Sequence, residues 1–199
     1  DAKSQMNPKD QWAVESLKCK DGGQSIATLI QAGTCIGVSD GSNGNNISTS
    51  SFTLTSRSKR MELSTCPVLG SNTVPGEPEE QDSYRGEEGG VMGLVVSIGL
   101  ICKSYNITQG SVEIGLDGEE AMKAIFAEQD PKVEAPCYDI IKDIRRKIKA
   151  LPVTVTGRHI KGHQDKHKEY HELDRWSQLN VKMDSRAKAL LRRRIQEGF

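Results

Sequence analysis

Apolar positions along this chain recur with two different periods, and the switches between them predict its elements. Trp12, Val14 and Leu17, then Ile26, Leu29 and Ile30, fall at helical steps on either side of the turn Asp21-Gly22-Gly23. Residues 1–33 therefore read as a helical lead-in. The run Thr34-Cys35-Ile36-Gly37-Val38-Ser39-Asp40 stops abruptly at a carboxylate followed by Gly41-Ser42, the pattern of a buried strand bounded by turn formers. Gly41 to Asn46 reads as a turn, Ile47 to Thr55 as a strand rich in Ser and Thr, and Met61 to Leu69 as a further strand. A loop rich in Pro and Glu follows, Val74 to Glu80. Beyond it, Tyr84, Val91, Leu94, Val95, Ile98, Ile101, Cys102 and Tyr105 predict a long helix from Ser83 to Tyr105 with Asp82 or Ser83 as N-cap. Glycines 86, 89, 90 and 93 lower the helix propensity of its first half but let it approach a sheet closely.

Ser111 to Leu116 predicts a strand that ends at Asp117-Gly118. A helix from Glu119 to about Glu128 is closed by Pro131 and Pro136, and a second runs from Tyr138 to Ala150 on Ile140, Ile141, Ile144 and Ile148. Val153 to Ile160 is a β-branched strand, Lys161 to Ser177 a polar loop, and Leu179 to Glu197 a last helix. The order βββαβααβα argues for an α/β fold, a mixed sheet with helices on its faces. At 199 residues the chain is long enough for one domain, 34–199, with 1–33 as an extension.

Composition narrows the function. No apolar run reaches eighteen residues, so nothing is expected to span a membrane, and no signal peptide is visible. The chain opens on Asp1 rather than Met, which suggests a fragment or processed product. Its five cysteines are odd in number, scattered and never in a C-x-x-C pair; free thiols in a reducing, intracellular compartment are the expectation. Net charge is zero but unevenly spread: residues 140–199 carry 16 Lys and Arg against 7 Asp and Glu, and residues 1–139 carry 11 against 20. An acidic part followed by a basic part suits a metal centre beside a phosphate-binding surface, although a solvated basic helix gives the same balance.

The candidate chemistry lies in the acids. On a strand, Ile36, Val38 and Asp40 share a face, and an ionised carboxylate on an apolar face is costly unless something compensates it. A lone Asp-Gly is more often an Asx-turn. Here a second strand also ends at an acid and glycine, Asp117-Gly118; Glu87 or Glu88 lies in the first turns of the long helix; and Asp184 shares a helix face with Val181, Ala187 and Leu191. Helix-dipole charge would explain either glutamate alone, and an i,i+4 pair with Lys188 would explain Asp184. Together, four carboxylates suit two hard divalent cations, which take oxygen ligands and can clamp both oxygens of an in-line phosphodiester displacement.

Ser39-Asp40-Gly41-Ser42, Tyr84-Arg85-Gly86-Glu87, Leu116-Asp117-Gly118, Lys161-Gly162-His163 and Asn180-Val181-Lys182-Met183-Asp184 stand in the order of ribonuclease H motifs. The spacing resembles the ribonuclease H region that follows the polymerase in retroelement polyproteins, over about Cys35 to Leu190. This resemblance implies a ribonuclease H-like fold, a five-stranded mixed sheet flanked by helices. It also implies hydrolysis of the RNA strand of an RNA–DNA hybrid with two Mg²⁺ or Mn²⁺ ions, by a monomer beside a polymerase domain. Carried over, it makes Asp40, Glu87, Asp117 and Asp184 the metal ligands, with Glu87 fitting Arg-x-Glu better than Glu88, although helical spacing alone does not separate the two. It makes His163 the loop histidine that moves protons or assists product release, and Asn180 the residue one turn before the last acid. Ser42, Asn43, Arg85 and Asn180 become candidate substrate contacts.

The chain departs from the family pattern in places. Ser83-Tyr84 stands where relatives carry an Asn pair, and the loop from His163 to Asn180 is longer than the common form. Arg145-Arg146-Lys147-Lys149 offers phosphate contacts and reads equally well as a surface helix face. Proofreading exonucleases need Asp-x-Glu on the first strand and transposases a final Glu, so both fit poorly. A silent nucleic-acid-binding or spacer module is the alternative from another class.

Overall fold

A computed structural model describes residues 2–59 and 67–198. Within them, six strands form one mixed sheet: β1 (Ser16–Lys18), β2 (Cys35–Gly44), β3 (Ile47–Ser56), β4 (Val68–Thr73), β5 (Ser111–Leu116) and β6 (Thr154–His159), in the order β1-β4-β3-β2-β5-β6. β1 to β4 pair antiparallel, while β5 and β6 add parallel to β2. The helices are α1 (Gln24–Ala32), α2 (Ser83–Ser104), α3 (Glu119–Phe126), α4 (Tyr138–Ala150) and α5 (Arg175–Gln196).

Four expectations need correction. The sheet has six strands rather than five, because the lead-in is not wholly helical: 3₁₀ turns cover Ala2–Gln5 and Pro8–Val14, then β1 pairs with β4. Three residues are too few to show a period, so only pairing reveals this strand. The predicted turn 41–46 shrinks to Asn45-Asn46, with φ of 48° and 59°, and β2 and β3 pair as far as Gly44 and Ile47. A two-residue turn with both φ positive matches the twist of the flanking strands, and Asn tolerates that conformation. The strand expected at Met61 to Leu69 lies instead at Val68–Thr73; residues 61–66 lie outside the described residues. Further on, α5 starts four residues before the expected Leu179, because Asp174 caps it by accepting from the Ser177 N–H at 2.7 Å.

Alternation along the strands sorts side chains onto two unlike faces. On the α2 side, Cys35, Phe52, Leu54, Val112 and Ile114 pack with α1 and α2 into the main core. Gly90 and Gly93 bring α2 down onto this face. A Cβ on Gly90 would stand 2.8 Å from that of Ser39, and one on Gly93 would collide with the Phe52 ring. On the α5 side, Ile36, Val38, Ile160, Leu179 and Met183 form a smaller cluster. There β3 presents hydroxyls: Thr49 donates to the Ala187 carbonyl (2.8 Å) and Ser51 to the Gly70 carbonyl (3.0 Å).

Candidate active site

Two parallel strands set the first two acids level. β2 and β5 pair with Val38 opposite Gly115, so continuing that register by two residues sets Asp117 opposite Asp40, just past the last paired residues of the two strands. Both lie on the α5 face. Asp40 is 6% exposed, and its carboxylate accepts from the Gly41 N–H at 2.9 Å.

The third acid arrives from the other face, around the end of the sheet. A Cβ on Gly41 would collide with the α2 backbone at Gly86, so two glycines let strand and helix touch main chain to main chain. This contact carries Glu87 past the strand end, where its carboxylate stands against Gly118 so closely that a Cβ there would overlap it. Glu87 is half-buried and faces Asp40 and Asp117; Glu88 is fully buried, beside Tyr84 and Cys137. The choice that periodicity left open is thus made by packing. The fourth acid, Asp184, comes from α5 and is held by Lys188 at 2.8 Å, one helical turn on.

The acids are near enough to resist ionising together. Burial, then the charges of Asp117, Asp184 and Glu87, pushes Asp40 up to about 8. Burial, followed by Asp117 and Asp82, pushes Glu87 up to about 7. Burial and Asp184 raise Asp117 as well, against the opposing pull of His163 and Asn180. His163 itself is exposed, in the left-handed conformation (φ 54°), and Gly162 before it brings the loop onto Asp117: a Cβ there would lie 2.8 Å from Oδ2. The imidazole of His159 reaches the Asp117 carbonyl at 3.1 Å.

Among the described residues, no three His, Cys, Asp or Glu side chains already close on one point as metal ligands. In chemical kind the set nevertheless fits a hard divalent cation: four carboxylates, no thiol, and three carboxyls whose pKa values are raised by burial and then by one another's charges. Asn180, 3% exposed and beside Asp117, leaves its Nδ2 buried without a hydrogen-bond partner among the described residues.

Among the candidate substrate contacts, Ser42 is half-buried and Asn43 exposed, both on β2 just past Asp40. Arg85 requires correction. It is 3% exposed and committed inward, with its guanidinium on Asp139 (2.9 Å) and the Pro75 carbonyl (2.9 Å), so it braces the start of α2 and does not reach a substrate. The basic run on α4 is largely committed too: Arg145 to the Ala124 carbonyl (3.0 Å), Arg146 to Asp143 (2.5 Å) and Lys147 to Asp10 (3.0 Å). Cys19, Cys35, Cys102 and Cys137 are free thiols. No helix among the described residues is long and apolar enough to cross a membrane.

No family model and no curated protein matches the sequence. Solved structures do resemble it. LC11-RNase H1 in complex with an RNA/DNA hybrid is 15% identical with a TM-score of 0.49, over 70% of this chain and 92% of that one. RNase H1 from the halophilic archaeon Halobacterium salinarum is 12% identical with a TM-score of 0.40, over 63% and 84%. The protease-reverse transcriptase of prototype foamy virus is 14% identical with a TM-score of 0.44, over 75% of this chain and 20% of that one. Likenesses this distant give no residue a role. The chain's own topology, an antiparallel β2-β3-β4 meander continued by parallel β5 and β6 with helices on both faces, agrees with the α/β mixed sheet expected from the sequence.

Proposed function

We propose that this chain is a divalent-cation-dependent endoribonuclease that hydrolyses the RNA strand of RNA–DNA hybrids, leaving 5′-phosphate and 3′-hydroxyl ends. The observation that supports it most is the meeting of four acids from four separate elements at one end of the sheet. Their mutual repulsion costs stability, which a structural domain has no need to bear.

Asp40 with Asp184, and Asp40 with Glu87 and Asp117, are the residues that would hold two Mg²⁺ or Mn²⁺ ions, whose chemistry is to acidify a water and stabilise a departing oxygen. The chain's own groups set the rest. Asp40, which feels the charges of the other three, would be the residue common to both ions. Asn180 lies beside the Asp117 carboxyl with a buried Nδ2 that has no partner among the described residues, and Lys188 pairs with Asp184. His163 is exposed beside Asp117, where an imidazole could carry a proton between the site and solvent. Ser42 and Asn43, on β2 just past Asp40, would be the groups that meet a 2′-hydroxyl, which distinguishes RNA from DNA.

One observation favours a second reading, a binding module that does not cut: the acids do not yet converge at ligand distance. The deciding assay incubates end-labelled RNA–DNA, RNA–RNA and DNA–DNA duplexes with the protein and Mg²⁺. Cutting restricted to the RNA of the hybrid, and lost in Asp117→Asn, supports the nuclease. Hybrid binding without cutting supports the module, and undiminished cutting by Asp117→Asn overturns the site.

A further inference from the structure

Beside the acidic mouth, the loop between β6 and α5 encloses a cavity of about 300 Å³ whose wall includes Arg158, Lys161, Gln164, Lys168 and Trp176. Its cations are not equivalent. Arg158 is committed, with its guanidinium 4.8 Å from the centre of the Trp176 ring and 3.3 Å from Glu113. Lys161 and Lys168 are exposed and form no ion pair among the described residues. Two acids also line the cavity, but both carboxylates are turned onto backbone donors. Glu172 accepts from the Glu169 N–H (2.9 Å) and Asp174 from the Ser177 N–H (2.7 Å). The wall thus carries two ammonium groups in no ion pair among the described residues, while the two carboxylates beside them each hold a backbone N–H at a helix start. Its place matters as much as its charge, because Lys161 directly precedes the Gly162 that lies against Asp117.

We infer that this cavity is a clamp for one backbone phosphate of the nucleic-acid duplex, gripped by Lys161 and Lys168 next to the cleavage centre. The inference rests on the nuclease reading for its substrate and deepens it. It also gives the long loop after His163 a task that the internally paired basic residues of α4 do not perform. Lysine serves a phosphate as a point charge, and each such contact releases counterions, so its loss shows in the salt dependence of binding.

The test measures anisotropy of a fluorescein-labelled RNA–DNA hybrid without divalent cation, across 50–200 mM KCl (about the range over which such contacts are screened). The full chain is compared with K161Q/K168Q and with K20Q/K103Q, which removes the same charge from exposed sites elsewhere. The expected result is a slope of log affinity against log salt shallower by about 1, the loss of one phosphate contact, for K161Q/K168Q and unchanged for K20Q/K103Q. Methylphosphonates placed singly along either strand should then weaken binding to the parent at one position and leave K161Q/K168Q indifferent there. Equal slopes for parent and K161Q/K168Q, equal losses in both double variants, or no such position would overturn the clamp. If the parent cuts hybrid while the slopes are equal, the clamp fails and the nuclease stands. If the slope shifts as expected while Mg²⁺ produces no cutting, the clamp stands and the nuclease fails. A parent that does not bind the hybrid overturns both.

Discussion

The α2 face of the sheet is packed with Phe52, Leu54, Leu94, Ile98 and Ile114, all fully buried, under a helix whose glycines bring it close. The α5 face rests on a row of Ser and Thr from β3, a five-residue apolar cluster, and the acids. One face is optimised for burial; the other gives up burial to hold like charges together. The contrast teaches where stability and chemistry reside, since the first face supplies the free energy that the second dissipates. Glu88 sharpens it. One residue from Glu87, it is fully buried with both oxygens unpartnered among the described residues, and burial and Glu87 raise its pKa well above the usual range.

The strongest way to break this contrast is to find the acids indifferent. Asp40→Asn should reduce cleavage of labelled hybrid about 10³-fold, the scale of several kcal/mol of lost charge stabilisation. It should also stabilise the cation-free protein at pH 7 by about 2 kcal/mol in urea melts, because Asp40 must take up a proton to be buried at that pH and the amide need not. A variant that loses activity and stability together would contradict the division of labour. On the other face, Phe52→Ala should cost about 3–5 kcal/mol by cavity formation, while cleavage per folded molecule stays at the parent value.

Without divalent cation, stability should fall as pH rises from about 4 toward 8, by a few kcal/mol in all. The sign follows from the direction of the shifts. Asp40 and Glu87 have folded-state values of about 8 and about 7, above their ordinary ones, so the folded state binds more protons across that window. Stability is therefore greatest below the ordinary carboxylate range and is lost as pH climbs through the raised values. Thermal melts at pH 5 and 8 measure this, and 10 mM Mg²⁺ (roughly a cellular-to-saturating level for such sites) should restore the difference by binding the native state. The smallest effect expected is Glu88→Gln, a gain of about 1–2 kcal/mol at pH 7 that vanishes near pH 4, where the carboxyl is neutral. A loss of stability at pH 7 would show that Glu88 has a partner that matters.

The strand end before Asp117, the Asp82 cap and the span of α4 were all legible, because each depends on residues within a few positions of one another. Arg85 shows the opposite. Its motif suggested a substrate contact, yet Asp139, fifty-four residues away, claims it. Likewise, nothing local distinguishes Lys161 and Lys168 from the lysines of α4.

Sequence alone determined the alternation of elements and the four acids that end or face them, since turn chemistry and hydrophobic period are local properties. Tertiary structure decided the rest: the sixth strand, Glu87 over Glu88, and which cations remain free. Those outcomes depend on strand register, on how closely glycine lets α2 approach β2, and on partners remote in sequence, and no periodicity encodes them.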